Sequence, residues 1–118
     1  MKIKLVILFI FISTSVQAEE YFQPYDATDY YLQTVLIALI YLDMKETIYL
    51  LQYDGYYELN PILGEHPSEE TIRRHAVGIA VIHSLYVWFL PKEYRSYFQA
   101  FSLGAESATV WSNYQLMF

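Results

Sequence analysis

The stretch of sequence that decides the fold runs from Ala76 to Asn113 and reads AVGIAVIHSLYVWFLPKEYRSYFQAFSLGAESATVWSN. Before Pro91 it is almost wholly apolar, and His83 is the one residue there that titrates near neutrality. Proline ends a helix, and the few residues that follow are too short for anything but a reversal of direction. We therefore expect two antiparallel helices, Glu69–Leu90 and about Glu93–Leu116.

The second of these helices carries a narrow polar stripe on an otherwise apolar, aromatic-rich surface. At ideal helix geometry its polar side chains fall within an arc of roughly 80°. They are Arg95, Gln99, Ser102, Glu106, Thr109 and Asn113. Such a stripe faces either water or other polar groups inside a bundle. Gly104 and Ala108 form a small-xxx-small pair, which favours the close approach of another helix.

An earlier helix is predicted from about Tyr30 to Tyr53, with Thr28 or Asp29 as its N-cap. Its first half is apolar all round, which is typical of a helix buried in lipid or in a protein core. Asp43, Glu46 and Thr47 then share one face.

The connector that follows spans 54–68. Its Asn-Pro pair suits a short capped turn, and Gly64 can end that turn. Ser68 is the expected N-cap of the next helix, since Glu69 and Glu70 place negative charge at its positive end.

The N-terminal segment Met1–Ala18 is typical of a signal peptide. Lysines precede an unbroken apolar run, Leu5–Ile12, and small residues stand at the expected cleavage site. The run is shorter than the ~20 residues of a spanning helix, which favours cleavage over an uncleaved anchor. Residues 19–118 would then form a single helical domain.

Composition excludes several classes of function. The formal net charge is −6 and no basic patch occurs, so nucleic acid is a poor partner. Cysteine is absent, which excludes disulfides, thiolate nucleophiles and cysteine-based zinc sites. Hydrophobic residues make up 55% of the chain, enough to favour a folded protein over a disordered one.

These features together predict an all-α protein, namely a signal segment followed by a three-helix, transmembrane bundle. A soluble exported bundle would need polar outer faces, which the helix before Pro91 and the first half of the helix from Tyr30 lack. We therefore expect the inner membrane after export, with a periplasmic location as the alternative. Tyrosines near the ends of the apolar segments suit a membrane interface.

Ionisable groups within such helices are costly and often mark function. The candidates for catalysis are Asp43, Glu58, His83 and Glu106, with Glu46 beside them. A wider polar network is predicted from Asp43, Thr47, Asn60, His83, Arg95, Gln99, Glu106 and Asn113. A carboxylate–histidine–carboxylate cluster could bind a metal or relay protons. Alternatively, His83 simply bonds Glu106 or a backbone carbonyl and holds two helices together.

The common signatures of zinc sites, nucleophilic serines and phosphate-binding loops are absent. His66 and His75 are interpreted as loop and interfacial residues in preference to metal ligands. No metal and no cofactor is predicted, and the sequence leans against an enzyme.

Part of the chain resembles a family of small uncharacterised bacterial and phage-associated putative membrane proteins. The resemblance rests on Asp43-x-x-x-Thr47, on Glu58-x-Asn60-Pro61-Ile62-Leu63-Gly64-x-His66-Pro67-Ser68, and on His83, Leu90-Pro91, Arg95, Gln99, Glu106 and Asn113. In that family the aspartate is typically followed by Trp-x-Gln-Thr, whereas this chain has Met-Lys-Glu-Thr. The resemblance implies that these polar positions belong to one shared design, and it implies no activity.

Three hypotheses on function stay open. The first is a binding or assembly component of the inner membrane, with lipid and a second copy or another membrane protein as partners. The second is a membrane-embedded metal-binding protein or hydrolase that uses Glu58, His83 and Glu106, with Asp43. The third is a pore-forming or ion-conducting oligomer, since polar stripes on short spans can line a channel.

Overall fold

The computed structural model describes residues 23–118, which form three α-helices and no strand. Helix α1 is Ala27–Leu50, α2 is Glu69–Phe89 and α3 is Lys92–Met117. The predicted all-α, three-helix architecture is confirmed for this part of the chain. The predicted signal peptide, Met1–Ala18, lies outside the described residues.

Helix α1 begins three residues earlier than predicted because its N-cap is Asp26. The Asp26 carboxylate accepts from the backbone N–H of Asp29, and the Asp29 carboxylate accepts from the backbone N–H of Asp26. This reciprocal capping box satisfies two helix-end donors at once. The prediction of Thr28 or Asp29 as the N-cap is therefore wrong, although Asp29 is part of the cap.

Helix α1 ends at Leu50, three residues before the predicted Tyr53, whereas the boundaries of α2 and α3 follow the predicted signals closely. Ser68 caps α2 by accepting from the N–H of Thr71, and Pro91 separates α2 from α3. In the connector, Gly55 and Gly64 have φ values of +96° and +79°, a region that glycine adopts without steric cost. A backbone bond of 2.9 Å from Glu58 N to Glu65 O closes the loop between them.

The three helices do not contact one another equally. Helix α1 packs along α3 and, less extensively, against α2, whereas α2 and α3 contact each other least. In the half of the hairpin nearer Pro91, His83 is stacked on Phe98 at 4.9 Å and Tyr86 is tilted against the same ring. Further from the turn, residues of both helices line a pocket. The predicted antiparallel hairpin is thus closed at its turn and open at the other end.

We divide the described residues into two ends. The hairpin end comprises residues 23–39 and 80–102, and the pocket end comprises residues 40–79 and 103–118. The buried side chains at the hairpin end are mainly polar, whereas those at the pocket end are apolar. The buried polar set is Asp29, Gln33, Arg95 and Gln99, and the buried apolar set is Leu36, Ile40, Met44, Leu50, Ile72 and Val87.

Away from the charged residues around the turn, Asp26, Lys92 and Glu93, the outer surface of the hairpin end is apolar on all three helices. Tyr31 of α1 is 69% exposed, Ile82 of α2 is 66% exposed and Phe101 of α3 is 76% exposed. No helix within residues 23–118 is long and apolar enough to cross a membrane. The expectation of membrane-spanning helices is therefore not met in this part of the chain.

Candidate functional site: a carboxyl-lined pocket between the helices

At the hairpin end, Arg95 is completely buried and every one of its N–H donors is bonded. Its guanidinium pairs with the Asp29 carboxylate at 3.1 Å. The remaining bonds go to backbone carbonyls, those of Gln23, Pro24, Trp88 and Leu90. Arginine carries five such donors, so none is left for a ligand. Arg95 therefore fixes the start of α1 to the turn between α2 and α3.

Next to this pair, side-chain amides connect all three helices. Gln99 donates to the carbonyl of Asp29 at 3.0 Å, and Gln33 donates to the Ser84 hydroxyl at 2.8 Å. His83 Nδ1 lies 3.1 Å from Gln33 Oε1, and His83 Nε2 lies 2.8 Å from Ser102 Oγ.

Burial lowers the pKa of His83, which favours the neutral ring. Because the Gln33 carbonyl oxygen can only accept, the ring donates from Nδ1 and accepts from Ser102 at Nε2. The hydroxyl of Ser102 also lies 3.0 Å from the carbonyl oxygen of Phe98, so its one proton serves two acceptors. His83 is thus engaged on both sides within the helix bundle.

The pocket end contains a cavity of about 380 Å³ between the three helices and the connector. A cavity of this size is in the range that accommodates small molecules. Its polar lining consists of Asp43, Thr47, Glu58, Asn60, His75, Glu106, Thr109 and Asn113, and its apolar lining of Ile40, Met44, Leu63, Ile72, Ala76 and Ile79. The lining includes three carboxyl groups and neither lysine nor arginine.

Asp43 is at the centre of the polar lining. Its Oδ1 accepts from Asn113 Nδ2 at 2.7 Å and from the Thr47 hydroxyl at 3.5 Å. Burial, together with the charge of Glu58, raises the pKa of Asp43. The aspartate is therefore held between α1 and α3, in a place where its negative charge is poorly solvated.

Glu106, on α3, lies beside Asp43 of α1. Burial, the charge of Asp43 and a hydrogen bond with Asp43 raise the pKa of Glu106 to about 7. Burial and the charge of Asp43 also raise the pKa of Glu46, one of whose buried carboxylate oxygens has no hydrogen-bond partner. The cluster consequently favours an added proton or cation near neutral pH.

The connector supplies the opposite wall of the pocket. Glu58 accepts from the backbone N–H of Asn60 at 2.8 Å, and Asn60 accepts from the N–H of Ile62 at 3.0 Å. The Asn60 amide also lies 3.4 Å from His75 Nε2 on α2. The Asn-Pro segment therefore positions Glu58 by local bonds, and Asn60 connects it to α2.

A second, more apolar groove of about 490 Å³ adjoins this pocket. The two share Thr47, Glu58, Thr109 and Asn113, and the groove continues between the end of α1, the connector and the last turns of α3. The combined space has carboxyl groups at one end and leucine side chains at the other.

The candidate residues predicted from sequence separate into two groups. Asp43, Glu58 and Glu106 line the pocket together, with Thr47, Asn60 and Asn113. His83 is not among the lining residues, and its bonds go to Gln33 and Ser102. Arg95 and Gln99 are also part of the hairpin end. Within residues 23–118, no group of three or more acidic or histidine side chains is placed to hold a metal ion.

Sequence reasoning did not identify three residues of these clusters. Asp29 and Gln33 continue the buried stripe of α1 formed by Leu36, Ile40 and Met44, at spacings of three and four. Two polar residues on that stripe, in an otherwise apolar half-helix, were the available signal. His75 was interpreted as an interfacial residue, but it lines the pocket.

Compared with protein-family models, with curated proteins and with solved structures, the chain has no match.

Proposed function

We propose that the chain is a small membrane-associated binding protein. Its hairpin end is seated in a lipid bilayer, and its pocket end faces the adjoining aqueous phase. The pocket binds a small ligand that carries a positive charge. The observation that carries this proposal is the inverted polarity of the hairpin end, which is polar inside and apolar outside.

Each helix has one segment without charged residues, which lies mostly within the hairpin end. Residues 30–42, 76–90 and 96–105 contain no Asp, Glu, Lys or Arg, and His83 is their one histidine. At ~1.5 Å per residue, these helical segments are roughly 15–22 Å long. The hydrocarbon core of a bilayer is ~30 Å thick, so these helices are too short to cross it. They would sit partly within the bilayer, which would become thinner around them.

Lipid is favoured over a protein partner because the apolar surface extends over all three helices. A single partner docking from one side would cover one or two of them. In lipid, polar side chains gather inside the bundle and hold the helices together, as Gln33, His83 and Gln99 do here. The outer charged residues of the pocket end, by contrast, suit water. Arg73 and Arg74 there form exposed pairs with Glu69 and Glu70.

The ligand class follows from the lining of the pocket. Three carboxyl groups without a lysine or arginine attract a positive group, and amide and hydroxyl side chains offer it further hydrogen bonds. The adjoining apolar groove would accept a hydrocarbon portion of the ligand. A primary amine or guanidinium compound with a short apolar segment fits this combination.

Vesicle flotation tests the membrane seating. The purified chain is mixed with phosphatidylcholine–phosphatidylglycerol vesicles and centrifuged through a density gradient, and we expect it to float with the lipid. Ile82→Asp places a charge on the apolar surface, at a cost of ~2.5–3.5 kcal/mol within a bilayer, and should reduce flotation strongly. Leu59→Asp changes an equally accessible apolar side chain of the connector, 81% exposed, and should leave flotation unchanged.

Two results would count against the seating. One is wild-type protein that stays at the bottom of the gradient with every vesicle composition. The other is an equal loss of flotation in both aspartate variants, because that would indicate general unfolding or charge repulsion.

A further inference from the structure

The carboxyl groups of Asp43 and Glu106 belong to the two helices that pack most closely, and both face the pocket. Asp43 is also the acceptor for Asn113, which lies about two turns beyond Glu106 on α3. The hydrogen bond described between α1 and α3 at the pocket end is therefore made by one aspartate. Whether its neighbour Glu106 is ionised decides if that contact is attractive.

Among residues 23–118, no lysine or arginine lines the pocket to neutralise the pair. The titratable groups that face it are Glu46 on α1, Glu58 in the connector and His75 on α2. Lys45 is exposed, and Arg73 and Arg74 are paired with glutamates at the surface. Two carboxylates in contact repel each other unless they share a proton.

The opposite end of the same helix pair is fixed. Arg95 and Gln99 bond α3 to the start of α1 and are completely buried. Any separation of α3 from α1 would therefore begin at the pocket end and turn about the hairpin end. Helix α2 would not prevent it, because the described side-chain contacts between α2 and α3 lie at the hairpin end.

From this geometry we infer that Asp43 and Glu106 form a proton-operated latch. A proton shared by the two carboxyl groups holds α3 against α1 and closes the pocket, and loss of the proton lets the pocket end open. The inference rests on the proposed function only in treating this pocket as the binding site. A positively charged ligand would replace the proton and bridge the same two carboxyl groups.

The pH range of the latch follows from the environment of Glu106. Its raised pKa of about 7 means that the shared proton is present in mildly acidic solution and largely lost at pH 8. The charge of Asp43 acts in the same direction as burial on Glu106, and the charge of Glu58 raises the pKa of Asp43.

Hydrogen–deuterium exchange of the full chain, measured by mass spectrometry at pD 6 and pD 8, tests the latch. After correction for the intrinsic pH dependence of exchange, residues 103–117 of α3 should open about fivefold more often at pD 8. Peptides from 86–99 should remain equally protected and provide the internal reference. Glu106→Gln should abolish the difference, whereas Glu65→Gln, a change of an exposed connector residue, should preserve it.

The inference is overturned if wild-type protection in 103–117 is the same at both values, or if Glu106→Gln shows the wild-type rise. Should Glu106→Gln not fold, Asp43→Asn tests the same contact, with the same expected loss of the difference. This outcome is independent of vesicle flotation. A chain that floats without a pH response refutes the latch alone, and a chain that responds to pH without floating refutes the membrane seating alone.

Discussion

The hairpin end and the pocket end bury polar groups in opposite ways. At the hairpin end a buried charge has an opposite charge as partner, and Arg95 uses all its donors within the protein. At the pocket end the partly buried carboxyl groups have the same sign and line a cavity. Each end also buries one side-chain oxygen that has no hydrogen-bond partner, Gln99 Oε1 at the hairpin end and Glu46 Oε2 at the pocket end. Paired charges stabilise and position helices, whereas carboxyl groups without an opposite charge are available to bind a cation. The comparison suggests that one end serves as scaffold and the other as site.

The largest effect should come from Arg95→Ala. It leaves the buried Asp29 carboxylate without its opposite charge, with the backbone N–H of Asp26 as its remaining donor, and takes the Arg95 donors from four backbone carbonyl oxygens. Breaking a buried pair costs ~3–5 kcal/mol. Chemical denaturation followed by tryptophan fluorescence would measure the free energy of unfolding. Lys92→Ala is the control, because its pair with Asp26 is solvent-exposed and should contribute under ~1 kcal/mol. Equal losses in the two variants would refute the hairpin end as the scaffold.

The amide cluster should show the next largest effect. Gln33→Leu keeps the approximate volume of the side chain but takes a hydrogen-bond partner from His83, Ser84 and Gln99, and we expect a loss of about 1–3 kcal/mol. Gln115→Leu makes the same change at an exposed position near the end of α3 and should alter the free energy of unfolding by under ~0.5 kcal/mol. A Gln33→Leu variant as stable as wild type would show that the polar interior does not hold the helices together.

A pH-dependent stabilisation is expected from Glu106→Gln. The folded-state pKa of Glu106, about 7, lies above the ordinary 4.5, so folding favours the protonated carboxyl. Its contribution to stability is complete below pH 4.5 and is lost as the pH rises through 7.

The variant should therefore equal wild type near pH 4 and exceed it at pH 8. A full shift of this size at ~1.36 kcal/mol per pKa unit, about halved for solvent access, gives ~1–2 kcal/mol. Thermal unfolding between pH 4 and 8 is the measurement, with Glu65→Gln as the matched control. A variant that is less stable than wild type at pH 8 would contradict a repulsive carboxyl pair at the pocket end.

The smallest effect is expected at the surface of the pocket end. Arg74→Gln removes an exposed pair with Glu70 one turn away, which should contribute ~0.3–0.5 kcal/mol. The difference from wild type should vanish in about 1 M salt, because screening acts on exposed charges. A double variant with Glu70→Gln would isolate the pair. A loss of more than ~1 kcal/mol in the free energy of unfolding would mean that the exposed charges of α2 stabilise the protein more than a surface ion pair should.

Local signals in the sequence identified much of the fold. Ser68 and Pro91 mark the boundaries of α2 because a cap and a missing N–H act on their own helix, whatever surrounds it. The start of α1 was misplaced because Asp26 and Asp29 cap each other, and several acidic or hydroxyl residues there could have served as the cap. Boundaries marked by a single local signal were predictable, whereas a boundary with several possible caps was not.

The site was only partly predictable, for a physical reason. Periodicity placed Glu106 and Asn113 on one face of α3, and the positions of Asp43 and Thr47 on α1 suggested partners. It could not say which polar residues of α1 and α2 would face that stripe, because the separation of α2 from α3 depends on three-helix packing. His83 was therefore grouped with the carboxyl residues, although it bonds with Gln33 and Ser102 at the other end.

The hydrogen bonds of Arg95 limit how far the chain can be shortened from its N-terminus. Arg95 binds the carbonyls of Gln23 and Pro24, so the segment before α1 belongs to the fold. Removal of a leader after Ala18 would leave four residues, 19–22, before Gln23, the first residue that Arg95 binds. A shortened form that starts at Gln23 keeps all the hydrogen bonds of Arg95. One that starts at Tyr25 loses two of the carbonyl oxygens to which the buried guanidinium donates. The safe range for N-terminal tags, protease sites and natural processing therefore ends just before Gln23.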